Sequence, residues 1–352
     1  MLTIAELDWM AVIAAPLVAG AVSAVLTLAL SRNAIGFLRI VDHPNERSLH
    51  QTPVPRTGGV AVVIGIALGL AIAVPMLAAP GPLGWIALAA LLVGGISLLD
   101  DHRDVCQRYR LLAHAGAAML LYLGGLRWEQ LGLPGLDAAL PDWLALGLTL
   151  LYSVWMINLY NFMDGMDGFA GGMAMFGFGA LGILGWQAGD AGFALANAII
   201  AAASAGFLTG NFPPARIFLG DMGSATLGLL AATFSLVGAQ RGLFPLWMAW
   251  LAFSPFIVDA TWTLLRRLIR GERIWQAHRS HHYQRLVLAG WSHRKTVLRS
   301  YLLMLACAAT AVAARKMSAQ DQWFMLAAWA VVYLFIGYRT RLAERLAGTA
   351  SP

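Results

Sequence analysis

Charge is what this sequence has least of. Only 12% of its 352 residues are Asp, Glu, Lys or Arg and 59% are hydrophobic, against roughly 25% charged residues in a soluble domain. A chain so apolar is not an ordinary water-soluble globule; it is built for lipid. Cysteine is almost missing: Cys106 and Cys307 lie far apart with no matching His ladder, which supports neither a disulfide framework nor a zinc site. Basic residues are missing from the start, where Glu6 and Asp8 precede a first basic residue at Arg32, and this argues against a cleaved signal peptide. The net charge of +6 is scattered over short loops, so no nucleic-acid partner is expected. No Walker A loop, nucleophile-elbow serine, dinucleotide glycine turn or fixed-period repeat occurs.

What is present is a series of apolar runs. Eleven candidate spans fall near 10–30, 58–79, 83–99, 111–126, 142–160, 171–188, 192–208, 223–239, 244–265, 296–314 and 322–338, each near the 20 or so residues that cross a bilayer. The expected fold is therefore all-α, one polytopic membrane domain over residues 1–352. With the N-terminus outside, loops 31–57, 100–110, 161–170, 209–222 and 266–295 and the C-terminal tail hold 19 of the Lys and Arg residues, against 4 on the other side. That asymmetry places the N-terminus in the periplasm, and those loops and the C-terminus in the cytoplasm.

Nearly all unusual polar clusters fall in these five loops. The first runs from Asp42 to Gly59 and holds Arg47, His50 and Arg56 among prolines; these side chains donate to phosphate oxygens, although positive loop residues also simply set topology. Asp100 and Asp101 close the third span. Adjacent carboxylates at a negative helix end repel each other, and a divalent cation or a shared proton relieves the repulsion. Asn158, Asn161 and Asp164 repeat at three-residue steps, one face if helical, and Asp167 follows between glycines. Asn211 precedes Gly220, Asp221, Gly223 and Ser224 at the start of the eighth span, where a helix N-terminus suits an anion and Asp221 a metal. The largest loop carries Arg266, Arg267, Arg270 and Arg273, then His278, Arg279, His281 and His282. Phosphate contact explains this cluster better than zinc, which would need a second ligand pair. Acidic loops for a metal beside basic loops for phosphates are the requirements of phosphoryl transfer between two anions.

From residue 42 to about 295, in the right order, the motifs at Asp42–Gly59, Asp100–Asp101, Asn158–Gly172 and Asn211–Ser224 resemble the polyprenyl-phosphate N-acetylhexosamine-1-phosphate transferases. The resemblance implies a helical membrane fold of ten or eleven spans, a cytosolic active site in the bacterial inner membrane, a UDP-N-acetylhexosamine donor and undecaprenyl phosphate as acceptor. It also implies Mg²⁺, with Mn²⁺ as a substitute, and makes a homodimer a fair expectation. Carried over by position, Asp221 becomes the principal metal ligand with Asp100 and Asp101 in support. Asp100 and Asp101 also position or deprotonate the lipid phosphate, and Asn161, Asp164, Asp167 and Asn211 serve the nucleotide and diphosphate. The His278–His282 cluster resembles the family's His-x-His-His motif, interrupted here by Arg279 and Ser280, and would bind phosphate or discriminate the sugar.

The expected catalytic set is thus Asp100, Asp101, Asp164, His281 and His282. The expected substrate contacts are Arg47, His50, Arg56, Asn158, Asn161, Asp167, Asn211, His278 and Arg279. Asp104 stands where the muramoyl-pentapeptide branch has a Lys, which favours the branch that initiates O-antigen or related surface polysaccharides. The expected reaction is attack by the lipid phosphate on the β-phosphorus of the UDP-sugar with release of UMP; a two-step route through an aspartyl-phosphate stays open. So do two other readings, the phospho-muramoyl-pentapeptide transferase of the cell wall and a transporter or flippase with acids at mid-membrane. The sugar stays open among N-acetylglucosamine, N-acetylfucosamine and N-acetylquinovosamine types.

Overall fold

A computed structural model of the chain describes residues 9–32, 40–42, 52–74, 81–273 and 278–348. The apolar runs fold as α1 (Trp9–Ser31), α2 (Gly58–Ala73), α3 (Gly81–Arg103), α4 (Gln107–Leu123), α5 (Asp142–Met163), α6 (Phe169–Gln187), α7 (Ala191–Asn211) and α8 (Gly220–Gln240). They are followed by α9 (Leu246–Ala252), α10 (Ser254–Ile269), α11 (His282–Leu288), α12 (His293–Ala314) and α13 (Ala319–Leu346). In lipid each backbone N–H must find its carbonyl within its own segment, so long apolar stretches become helices whatever their β-branched content.

Eight of these, α1, α3, α5, α6, α7, α8, α12 and α13, are long and apolar enough to cross a membrane. The chain is a multi-pass membrane protein. Helices α2 and α4 coincide with two further expected spans over 16 and 17 described residues. The expected single span 244–265 is instead a broken one, α9 and α10 meeting at 84°. Pro255 in the first turn of α10 has no N–H to give and its ring clashes with a preceding carbonyl, so α9 cannot run on through it. Two small ribbons also depart from the all-helical expectation. Val41–Asp42 pairs with Val54–Pro55 (β1, β2), and Gln130–Leu133 with Leu136–Ala139 (β3, β4), both antiparallel. The second lies in the expected outer loop 127–141 and is tied to α13 by the Trp323 indole N–H, which donates to Pro134 O at 3.0 Å.

The core sits on α6, α7 and α8, and of the eight long helices α8 is the most enclosed and α13 the least. Small residues let these backbones approach, as expected where packing rather than water expulsion joins helices. One close crossing joins α2 to α8. A side chain at Gly59 would strike the Gly223 backbone, and one at Gly223 the Gly59 backbone. Gly59 N–H donates to Leu219 O at 2.7 Å and Gly58 N–H to Phe218 O at 2.9 Å, so this crossing fixes the end of the first polar loop against the start of α8.

Candidate active site

The ends of α3, α5 and α8 meet at one face. Asp100 and Asp101 lie in the last turn of α3, Asp164 follows α5 as its C-cap, and Asp221 is in the first turn of α8. Asp101 reaches α8 directly. Its Oδ1 accepts from Asp221 N–H and its Oδ2 from Met222 N–H, both at 3.1 Å. It thereby caps the positive end of α8 with a carboxylate. Gly220 permits this contact, because its φ of +77° is left-handed and a side chain there would run into Arg56 O.

Two arginines face the acids. Arg56 donates to the carbonyl of Asp101, and its Nε lies 3.6 Å from Asp101 Oδ1. Arg110 of α4 bridges two carboxylates, with Nη1 2.5 Å from Asp100 Oδ2 and Nη2 3.1 Å from Asp221 Oδ2. The chain turns sharply after α3 because Asp104 takes a left-handed φ of 47°, which Asp tolerates better than most residues, and Val105 N–H then donates to Asp100 Oδ1 at 2.7 Å. Half-buried Asp164 has its carboxyl pushed well above the usual range, first by burial and then by Asp221 and Asp101 nearby. Carboxylates that raise one another in this way form a site for positive charge.

The donor set fits magnesium. Among the described residues no three His, Cys, Asp or Glu side chains form a closed cage. Magnesium is usually held by one or two carboxylates, with water and substrate phosphate oxygens completing the octahedron. Asp221, with its side chain 30% exposed, and Asp100 beside it are the carboxylates in position. Both oxygens of Asp101 are already engaged by α8.

The remaining expected residues divide into groups. Asn161 donates to Ser224 Oγ at 3.2 Å, joining α5 to α8 beside the acids. Asn158 is one turn deeper, donating to Val154 O and lying 3.2 Å from His114 Nδ1. Asn211 is buried, accepting from Gly168 N–H at 2.9 Å and donating to Ile217 O at 2.8 Å, so its amide holds two loops together. Asp167 accepts from Ala215 N–H at 3.0 Å and lies 3.3 Å from His293 Nδ1 of α12. Burial raises its pKa, but the bonds from His293 and Ala215 outweigh that and hold it below the usual range. Arg47 and His50 lie outside the described residues.

The histidines form a second wall. Asp259 of α10 accepts from His282 N–H at 3.0 Å and Thr263 Oγ1 at 3.1 Å, and lies 3.4 Å from His281 Nδ1. The His278 ring packs on His281 with centroids 4.9 Å apart. Burial, then His281 and Arg267, lower the pKa of His278 to about 4, which leaves it neutral at pH 7. Tyr283 joins this wall to the acids, for its hydroxyl donates to Phe162 O at 3.3 Å and would be struck by a side chain at Gly165. Arg279 turns to a separate cavity with Arg266 and Arg285.

The sequence reading passed over Arg110, His114, Asp259 and His293. Arg110 and His114 carried a usable signal: two polar residues at i and i+4 on an apolar helix share one face. Asp259 carried another, a lone acid in an apparent span. His293 beside Asp167 depends on tertiary contact alone.

Residues 83–239 match the family described as glycosyl transferase family 4. The chain is 31% identical over 271 residues to the probable undecaprenyl-phosphate N-acetylglucosaminyl 1-phosphate transferase of Bacillus subtilis, covering 75% of this chain and 74% of that protein. It is 32% identical over 296 residues to the decaprenyl-phosphate N-acetylglucosaminephosphotransferase of Mycobacterium tuberculosis, covering 75% and 73%. With the undecaprenyl-phosphate alpha-N-acetylglucosaminyl 1-phosphate transferase of Yersinia pestis it shares 30% identity over 326 residues, covering 88% and 86%.

Proposed function

The chain belongs to glycosyl transferase family 4, and from that premise we propose that it transfers an N-acetylhexosamine 1-phosphate from a UDP-sugar to undecaprenyl phosphate. The observation that carries the reading is the gathering of Asp100, Asp101, Asp164 and Asp221 from three helix ends around Arg56 and Arg110. An oxygen of the lipid phosphate attacks the β-phosphorus of the donor. The bond from that phosphorus to the bridging oxygen breaks, UMP carries off the electron pair, and a lipid diphosphate-linked sugar remains. Asp221 and Asp100 would hold magnesium, which would supply charge neutralisation at the diphosphate. Asp101 fixes Asp221 by holding the start of α8, and Arg110 keeps Asp100 and Asp221 close before substrate arrives. Asp164, poorly disposed to ionise, would donate a hydrogen bond from its protonated carboxyl to an oxygen of the lipid phosphate.

We assign eleven crossings, counting the short α2 and α4 and the broken α9–α10 each as one, with the N-terminus outside and this face in the cytoplasm of the inner membrane. The excess of basic residues on the acid-bearing side supports that orientation. Placement of the acids at one face, not at mid-membrane, speaks against a transporter. N-acetylglucosamine is the favoured sugar because the relatives' names specify it, and initiation of a surface polysaccharide such as O-antigen is the corresponding role. Purified enzyme in detergent, given undecaprenyl phosphate and UDP-N-acetylglucosamine, is expected to release UMP only with Mg²⁺ or Mn²⁺. Asp221→Ala is expected to abolish release without rescue by added metal. Full turnover by that variant, or no release from any UDP-N-acetylhexosamine, refutes the reading.

A further inference from the structure

A cavity of about 370 Å³ lies between α10, α11 and α13 and includes none of the four clustered aspartates in its wall. Five arginines line it. Two are neutralised within it: Arg267 donates to Glu272 at 2.7 Å, and Arg285 forks onto Glu344 at 2.6 and 2.5 Å. Arg266, Arg270 and Arg279 make no ion pair among the described residues, and burial, then the like charges of Arg285, Arg270 and Arg341, weigh on Arg266 more than Glu344 relieves it. Five guanidiniums against the two carboxylates of Glu272 and Glu344 leave the cavity wall a net charge of +3, a site for an anion, and the forked donors match phosphate oxygens.

The surroundings say where that anion comes from. Helix α10 leaves the broken span at 84° and exposes Trp262, Leu265, Leu268 and Ile269 as one stripe. A helix whose apolar stripe faces lipid and whose last turn carries Arg266 and Arg267 ends at the polar face of the bilayer. Arg266 and Arg270 stand one turn apart beside the apolar stripe, and Leu288 at the cavity wall and Leu346 at the end of α13 are also exposed. The cavity therefore opens at the level of lipid headgroups, with apolar surface beside it for acyl chains. Basic pockets between transmembrane helices in this position take anionic headgroups.

We propose that this arginine cavity is a binding site for the phosphate headgroup of an anionic phospholipid of the surrounding leaflet, separate from the site of sugar-phosphate transfer. The test reads binding without donor sugar, so its failure is independent of the proposed activity. Delipidated full-length protein in neutral detergent is titrated with phosphatidylglycerol, phosphatidylcholine or inorganic phosphate, with retention followed by native mass spectrometry and stability by melting temperature. Phosphatidylglycerol is expected to be retained and to raise the melting temperature, and the other two are not. At about 1 kcal/mol per arginine near a lipid surface, Arg266→Gln with Arg270→Gln weakens retention about 30-fold, while the double Lys variant keeps most of it. An unchanged melting temperature of the Gln variant in neutral detergent alone shows that the loss is not unfolding. Equal retention of phosphatidylcholine, equal binding of inorganic phosphate, or no difference between the wild type and the Gln variant overturns the proposal. Displacement of phosphatidylglycerol by equimolar undecaprenyl phosphate, with a raised KM for that acceptor in the Gln variant, assigns the cavity to the substrate and overturns it as well.

Discussion

Arg110 should matter most when no cation is present. It holds Asp100 at 2.5 Å and Asp221 at 3.1 Å, and a unit pair about 4 Å apart at an effective dielectric near 20 is worth roughly 4 kcal/mol. Water reduces this, because the Arg110 side chain is 23% exposed and that of Asp221 30%. Exposed pairs contribute at most about 1 kcal/mol, and breaking buried ones costs about 3 to 5. Arg110→Met is therefore expected to cost about 2 kcal/mol in magnesium-free buffer, a fall of about 4 °C in melting temperature. The loss arises chiefly because Asp100 and Asp221 are left facing each other. A divalent ion relieves the same repulsion, so saturating Mg²⁺ should restore at least half of the loss in the variant while moving the wild type little. Melting curves in a lipid-supplemented detergent, with and without Mg²⁺, read both numbers. Equal magnesium shifts in the two proteins would show that Arg110 and the cation do not share one acidic site.

The other predictions concern the scaffold of the site. Asp167 is held below the usual carboxylate range despite its burial, so its contribution to stability is present above about pH 4 and is lost as pH falls through its folded value. Melting temperature against pH should fall more steeply on the acid side for the wild type than for Asp167→Asn, and identical profiles would remove the His293 contact from the account. Gly59→Val places a side chain on the Gly223 backbone and is expected to cost about 3 kcal/mol; a variant as stable as the wild type means that α2 and α8 do not cross there.

Much of the site was legible because the acids carry their own signal. Asp100, Asp101, Asp164 and Asp221 are costly at a membrane boundary unless they have work to do, and the alternation of spans puts their loops on one side. The partners were harder to see. Nothing local in Arg110 says that it crosses to Asp221, more than a hundred residues away, and nothing in Asn211 says that both ends of its amide are taken by Gly168 and Ile217. Hydropathy likewise found α2 and α4 but not what holds their first turns, Gly58 and Gly59 on the carbonyls that precede α8 in one case and Arg110 on two aspartates in the other.

The break at Pro255 shows how one backbone feature governs both polar walls. Were residues 246–269 a straight helix, Asp259 would lie inside the apolar layer, where a charge costs about 2.5 to 3.5 kcal/mol. Turning α10 through 84° brings Asp259 instead against the start of α11. There Asp259 meets His281 and the His282 amide, and Tyr283, next in the chain, reaches the carbonyl of Phe162 beside Asp164. The bend thus does for the histidines what the glycine crossing of α2 and α8 does for the acids. It gives a sequence position that hydropathy places within the membrane a set of polar partners, and a substitution that straightened α10 would withdraw the His281 wall and the arginine cavity together.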